Sequence, residues 1–455
     1  MPSSTETYTD SLTAARLIAY AAPTVALQAM LVPLYNFLPP VYYDPRVGLT
    51  AATVGLMFGL ARFWEALTDP LIGAISDRTR SRLGRRRLWM LVGAPIAMFA
   101  TWYLLDPPRG ASAAYLLGWL MVFYLGWTLV YIPHQTWGSE LAGDYHERTR
   151  IAGYRETGAF VGYLLATVVP LLYWQFWRDV AAPTPAQIVT AIGVFFVVAL
   201  PLAILWCFAA VPALADHSET TPRWRELFAI LRRNRPFTRL LAAYLIDRLA
   251  MGTYFAVQPP LIFQAYGLGA ALLWIALSIT IASATLAPLW VPIARRIGKH
   301  RAYCIANLIT AAAYAALYFV PDGALGAVLL IVAVMGLGNG GTMILPPAMT
   351  ADAVDHDEQV SGVRQTGGHM AFLAFVFKSG MGLGALLGLG FVSLIGYDHF
   401  AQTLDATVEQ GVRFGAAWLP ALLLALPIAL MWRYPIDNAR HAQIRAALAA
   451  RTTTP

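Results

Sequence analysis

Twelve apolar runs, each about as long as a bilayer core is thick, constrain this chain more than any other feature of it. A membrane-crossing helix needs roughly 20 consecutive apolar residues. Such stretches read near 13–40, 50–76, 88–105, 112–138, 157–177, 187–211, 237–264, 271–294, 302–320, 325–349, 366–396 and 411–432. They leave almost no room for a soluble domain. The composition agrees, with 58% hydrophobic and 13% charged residues, where soluble domains carry about a quarter charged. Backbone in lipid must satisfy its own hydrogen bonds, so the expected fold class is an all-α membrane protein of twelve transmembrane helices. The opening "MPSSTETYTDSLTAAR" has no basic region leading into a short apolar core, and does not read as a cleaved signal peptide. Cys207 and Cys304 both sit in apolar spans, which argues against a disulfide framework.

The net charge of +7 matters less than its distribution. Arginine and lysine cluster at Arg78 to Arg87, Arg223 to Arg239, Arg295 to Arg301 and Arg433 to Arg451. If twelve spans alternate, all four clusters fall on one side, and the opposite loops hold only Arg46, Arg109, Arg178 and Arg413. The positive-inside rule then places both termini in the cytoplasm. The expected location is a bacterial inner membrane, with the lipid bilayer as a partner, no nucleic acid, and a monomer as the working unit.

The longest interior polar stretch, residues 215–239, divides the spans six and six. This predicts an N-terminal half over 1–211, a cytoplasmic linker with a short amphipathic helix over 212–236, a C-terminal half over 237–434 and a cytoplasmic tail over 435–455. The halves repeat one another. After the fourth span stands "GDYHERTRIAGYRETG" and after the tenth "VDHDEQVSGVRQTG", each with D-x-x-E followed by G-x-R-x-T-G: Asp144, Glu147, Gly153, Arg155, Thr157 and Gly158 against Asp355, Glu358, Gly362, Arg364, Thr366 and Gly367. A weaker echo links "DPLIGAISDRTRSRLGRRR" after the second span to "APLWVPIARRIGKHR" after the eighth. Two six-helix halves around a midplane site is the plan of major facilitator transporters.

The residues carry this resemblance further. Gly73, Asp77, Arg78, Gly84 and Arg85 to Arg87 resemble the loop signature of the major facilitator superfamily. "RFWEALTDPLIG", "IPHQTWGSELAGDYHERTRIAGYR" and "FVFKSG" resemble the glycoside-pentoside-hexuronide:cation symporter family. The resemblance implies a major facilitator fold in two pseudo-symmetric halves, and cation-coupled symport of a small organic solute by alternating access. Lysolipid carriers are distant relatives of that family. No zincin, Walker or nucleophile-elbow motif occurs in its structural context, so an enzyme is not expected.

Within the second span, Glu65 and Asp69 lie at i and i+4 on one helical face, deep in the apolar run. Acids at that depth are expensive and need a partner, a proton or a metal ion. Two carboxylates this close raise each other's pKa, which a proton or monovalent cation relieves. The competing reading is a pair neutralised by Arg62, one turn earlier. The resemblance implies that these positions form the H+ or Na+ coupling site, with no other cofactor; they are metal ligands only if Na+ is the ion. Two departures stand out. Glu65 replaces the family's usual Asp, and span one has no acid where the family's sugar carriers use one. The second departure favours an aromatic or amphipathic substrate.

Lys378 is one of two lysines and sits about twelve residues into the eleventh span, where an amine needs a carboxylate, an anionic substrate group or a lowered pKa. The resemblance implies that it faces the acids of the second helix. Lys299, the other, is expected in a cytoplasmic loop. Asp247 and Arg248 in the seventh span point about 100° apart and are expected to find partners on other helices rather than in each other. Asp77, Arg78, Arg155, Arg364, Glu147 and Glu358 fall at helix ends, where charge pairs can lock two halves in one state. Tyr20, Thr24, Gln28 and Tyr35 form a polar stripe on span one; Tyr124, His134, Gln135 and Trp137 on span four and Gln258 on span seven add candidate substrate contacts, though each alone is more often packing. The glycines of "GLGNGG", Gly336 to Gly341, suit close helix approach rather than phosphate binding.

Overall fold

The computed structural model describes residues 12–141, 145–176, 184–212, 230–363, 365–398 and 404–452. The described residues fold into helices, with no strand among them. Helices stand at all twelve expected positions: Ala14–Asn36, Ala51–Arg78, Arg85–Leu105, Ala113–Glu140, Tyr145–Phe176 and Pro185–Ala210, then Arg235–Pro260, Leu272–Leu286 running on to Trp290–Ile297, Lys299–Leu317, Leu325–Ser361, Thr366–Leu394, and Ala406–Leu423 continued by Ala425–Met431. They are spans one to twelve below. Ten of them are long and apolar enough to cross a membrane. Spans two and nine are the other two. The first carries Arg62, Glu65 and Asp69 in its middle, and the second opens on Lys299, His300 and Arg301, so both are less apolar than their neighbours.

The chain forms two compact units, Met1–Thr221 and Pro222–Pro455. Most of the expected linker, residues 213–229, lies outside the described residues. The expected tail contains one more helix, Asn438–Thr452.

Local chemistry fixes where the spans begin. Thr13, Thr50, Ser112 and Thr184 each accept a backbone N–H of the first turn, at the starts of spans one, two, four and six. Such caps satisfy a donor that the helix cannot. Spans three and nine start differently. Gly84 and Gly298 precede them with φ of 92° and 91°, a conformation that an L side chain resists. The same turn thus opens the third helix of each half, at the weaker of the two sequence echoes.

In the second unit, spans seven and eleven pack backbone to backbone. A Cβ at Gly380 would come within 2.6 Å of the Arg248 Cβ, one at Gly384 within 2.3 Å of the Leu249 carbonyl oxygen, and one at Gly388 within 2.8 Å of the Thr253 oxygen. The GLGNGG glycines act as the sequence suggested: Gly336 and Gly340 lie against span eight, Gly338 against span nine, and Gly341 against Ala306 of span nine and Trp290 of span eight. Gly390, on the same helix as Gly384, has nothing within 4 Å of an added Cβ. Gly384→Ala should therefore push the two helices apart and lower the melting temperature of purified protein by about 5 °C, while Gly390→Ala should leave it unchanged. Equal melting of the two variants would remove close packing as the reason for the glycine stripe.

Candidate functional site

The second span sorts its residues by helical spacing. Leu56, Leu60, Phe63, Leu67, Leu71 and Ile75 form an exposed apolar stripe suited to lipid. Phe58, Arg62, Glu65 and Ile72 are buried on the opposite side, with Asp69 half-buried among them. This face packs along span four in register: Arg62 meets Tyr124, Asp69 meets Thr128, and Gly73 lies against Ile132.

Arg62 is the centre of the arrangement. It is 3% exposed, its guanidinium lies 4.4 Å from the Tyr35 ring centroid and 4.3 Å from that of Tyr124, and its Nη1 donates to the Glu65 carboxylate. Desolvated cation–π contacts contribute about 2 kcal/mol. Loss of one partner from a buried pair costs about 3–5 kcal/mol, because the other charge is left uncompensated. Asp69 is held separately, accepting a hydrogen bond from Thr128 Oγ1 at 2.8 Å. So Arg62 engages Glu65, the pairing the sequence offered as the competing reading, and a second carboxylate stands one turn further on. Pro70, directly after Asp69, has no N–H, so the Ala66 carbonyl loses its in-helix donor. Two carboxylates, a threonine hydroxyl and a carbonyl released by the proline thus stand within one turn of each other along the facing sides of spans two and four. No group of three or more His, Cys, Asp or Glu side chains able to hold a metal occurs among the described residues; a Na+ here would complete its shell with neutral oxygens.

The polar stripe of span one divides. Tyr20 donates to the His134 carbonyl oxygen at 3.1 Å, and its ring stacks on the imidazole at 4.5 Å. His134 Nε2 lies 2.7 Å from the Tyr20 carbonyl oxygen, so it carries the proton there, and Nδ1 lies 3.5 Å from Thr24 Oγ1. This reciprocal clasp joins spans one and four. Trp137 is buried, with the Tyr20 ring at 6.5 Å, Phe208 at 6.0 Å and the Arg87 guanidinium at 5.1 Å. Gln28 is buried, and its Oε1 has no hydrogen-bond partner among the described residues. Gln135 is half-buried beside His134. In the second unit, Gln258 is buried and donates to the Tyr254 hydroxyl at 3.2 Å. Lys378 is half-buried in span eleven, between Phe377, which flanks the Arg248 guanidinium, and Gly380, which packs on the Arg248 Cβ.

Span seven corrects one expectation. Arg248 Nη2 donates to Asp247 Oδ1 at 2.9 Å, so the adjacent residues do pair with each other. The 100° separation applies to the Cα–Cβ directions, and a long arginine side chain folds back across it. Other helices join the pair as expected: Tyr303 donates to Asp247 Oδ2 at 2.7 Å, and Thr342 Oγ1 accepts from Arg248 Nη2 at 2.8 Å. Lys299 also departs from its expected loop. It is the first residue of span nine and bonds Asp352 Oδ1 at 2.6 Å.

At the basic helix ends, Arg85 and Arg86 turn inward onto Glu140, at 2.7 and 2.5 Å, and Arg86 also reaches Ser76 at 2.5 Å. Arg78 is exposed at the end of span two. Glu147 accepts from the Leu12 amide and from Arg150, and Arg155 pairs with Glu156 at 2.6 Å. Glu358 is half-buried in the last turn of span ten. Arg364, Asp144 and the Asp77 side chain lie outside the described residues. Glu140 was missed by sequence reading; a lone acid at the end of span four opposite an arginine cluster was the available signal.

The buried bond from Tyr303 offers a direct check of the span-seven cluster. Tyr303→Phe keeps the ring and removes one donor from a buried carboxylate, which should cost about 1–3 kcal/mol and lower the melting temperature accordingly. An unchanged melting curve would show that the Asp247–Arg248 pair does not need span nine.

Curated relatives agree along most of their lengths. The chain is 26% identical to the glucuronide carrier protein homolog of Escherichia coli (strain K12), over 89% of this chain and 88% of that protein. It is 26% identical to the isoprimeverose transporter of Lactiplantibacillus pentosus, over 87% and 84%, and 25% identical to the human sodium-dependent lysophosphatidylcholine symporter 1, over 89% and 80%. Among solved structures, a bacterial homolog of the human lysosomal transporter Spinster superposes with a TM-score of 0.69 at 13% identity, covering 95% of this chain and 97% of that one. The nucleoside transporter NupG gives 0.63 at 13% identity, over 93% and 100%. At such identities the structures establish the fold alone. The family model described as MFS/sugar transport protein matches residues 19–438, and the chain belongs to that family of membrane transporters.

Proposed function

We propose that this chain is a cation-coupled secondary symporter that imports a small organic solute, such as a glycoside, a hexuronide or a related compound, by alternating access. One observation carries the reading: Glu65 and Asp69 share the buried face of span two with a single guanidinium and the Thr128 hydroxyl. At that depth an unbalanced charge is expensive, and a proton or Na+ is held by the two carboxylates for part of the cycle. Lys378, with Gln28, Tyr124, Gln135, Trp137 and Gln258, is assigned to substrate contact or charge balance. Asp77, Arg78, Arg155, Arg364, Glu147 and Glu358 are assigned to gating at the basic helix ends. The protein sits in a bacterial inner membrane as a monomer with both termini cytoplasmic, and has no nucleic-acid partner.

A second reading, a carrier of an amphipathic or lipid-like molecule, is favoured by span one, whose buried polar residues Thr24 and Gln28 include no acid. The human lysophosphatidylcholine symporter among the relatives supports keeping it. A thermal-shift screen of purified protein against sugars, glycosides, aromatic acids and lysolipids, with and without Na+, separates the two readings.

Uptake into proteoliposomes under imposed Na+ or pH gradients tests coupling. Asp69→Asn removes one of the two charges and should abolish gradient-driven accumulation while downhill exchange persists; accumulation that survives intact would place coupling elsewhere. Lys378→Ala should abolish transport, and Arg78→Ala, at an exposed helix end, should change the rate of exchange far more than the affinity. Wild-type transport in Lys378→Ala would take the lysine out of the mechanism.

A further inference from the structure

A guanidinium has five N–H donors and no acceptor. Arg62 uses Nη1 on Glu65, and its faces are covered by Tyr35 and Tyr124. Its Nε and Nη2 are buried and have no hydrogen-bond partner among the described residues. Arg86, buried nearer the end of the same unit, spends all three of its nitrogens on Glu140 and Ser76. Among the buried side-chain atoms of the described residues, Arg62 alone contributes two guanidinium nitrogens without a partner.

Which two nitrogens are unpaired matters. The N–H bonds of Nε and Nη2 run parallel along one edge of the guanidinium plane, and that fork matches the two oxygens of a carboxylate. Stacked rings cannot satisfy it, because they cover the faces and not the edge. Buried polar groups are normally bonded, and an exception needs an explanation. A second, independent orphan lies on span one. Gln28 stands two turns before Tyr35 on the same face of that helix, and its buried Oε1 is an acceptor with no donor among the described residues. The Arg62 edge therefore calls for an anion, and the Gln28 oxygen for a hydroxyl or amide N–H. Of the two rings around Arg62, Tyr124 is fully buried and Tyr35 only half-buried, so Tyr35 is the wall that can yield to an arriving ligand.

We propose that the Nε–Nη2 edge of Arg62 binds the carboxylate of a transported organic acid, and that Arg62 exchanges Glu65 for that carboxylate when the coupling cation is held by Glu65 and Asp69. The exchange rests on the reading of those acids as the cation site. With no cation bound, Glu65 is the counter-ion of Arg62. A proton or Na+ on Glu65 takes that counter-ion away, and a buried guanidinium left without one is strongly unfavourable. The solute's carboxylate restores the balance. Cation and solute then raise each other's affinity by the same factor. A solute without an anionic group gains nothing from the exchange, so selectivity and coupling reside in one side chain.

The test uses full-length purified protein and matched pairs of probes: methyl β-D-glucuronide with methyl β-D-glucoside, galacturonate with galactose, and benzoate with benzamide. Binding is read by thermal shift and calorimetry in Na+ and in choline buffers, each at acidic and neutral pH. In at least one pair the carboxylate should bind and its neutral partner should not, with affinity raised by Na+ or by acid. Arg62→Gln should weaken the carboxylate by about 30-fold or more, and Arg62→Lys, which keeps the charge and loses the fork, should fall between. The wild-type comparison needs no variant, so misfolding of Arg62→Gln does not spoil it. Neutral members that bind as well as the acids, silence of every carboxylate, or wild-type affinity in both variants would overturn the assignment of Arg62. A neutral member bound in a cation-dependent way would do so while leaving symport intact. A carboxylate bound equally with and without cation at both pH values would overturn the exchange.

Discussion

The contact on which the rest depends is the pairing of Arg62 with Glu65 inside an apolar helix. Charges at that depth cannot be solvated by water and must be solvated by protein. This fixes the rotation of span two about its axis, because turning it would move the arginine and both acids toward lipid and the Leu56 to Ile75 stripe inward. It also fixes the neighbour. Span four presents Tyr124 and Thr128 one turn apart, an aromatic face for the guanidinium and a hydroxyl for Asp69. Span one supplies the second ring through Tyr35, and is held to span four by the Tyr20–His134 clasp. Three helices of the first unit are thus positioned by what one arginine and two acids require.

The same economy recurs at the basic helix ends, and there the internal duplication becomes physical. Gly84 and Gly298 adopt nearly the same left-handed turn. Each is followed by basic residues, one or two of which turn back onto an acid late in the next helix: Arg85 and Arg86 on Glu140, Lys299 on Asp352. In the second unit the C-terminal helix adds to this, with His441 Nε2 3.1 Å from Asp355 and 3.4 Å from Asp352. An arginine cluster at a membrane boundary is therefore not only an anchor in water. Part of it ties the third helix of a half to the fourth.

How much of this was legible in sequence follows from the range of each interaction. The spans were legible because their length is set by the bilayer and their composition by lipid, and neither depends on what packs against what. The Arg62, Glu65 and Asp69 face was legible for a similar reason, since i, i+3 and i+7 share a helix face in any context. What escaped was set by side-chain reach and by other helices. Asp247 and Arg248 pair because a long side chain can fold back, which Cα–Cβ geometry does not reveal. Trp137 and His134 stood out as polar or aromatic residues in a span, but their neighbours Tyr20, Phe208 and Arg87 come from other helices and could not be read locally. Glu140 stood out only as a lone acid at the end of an apolar span, and the fold is what brings two arginines to it.

The two units solve the same problem of buried charge differently. In span seven, Asp247 and Arg248 are joined by Tyr303 and Thr342, so the carboxylate has a donor on each oxygen and of the pair only Arg248 Nε is buried without a partner among the described residues. A complete network resists change, because any departure strands a buried charge. In span two, two nitrogens of the arginine have no partner among the described residues, and its acid is followed one turn later by a second acid. An incomplete network has fewer internal bonds to lose on rearranging than a complete one. Within the first unit, span two thus holds the incomplete network; within the second, the more complete one sits on span seven, which packs backbone to backbone on span eleven.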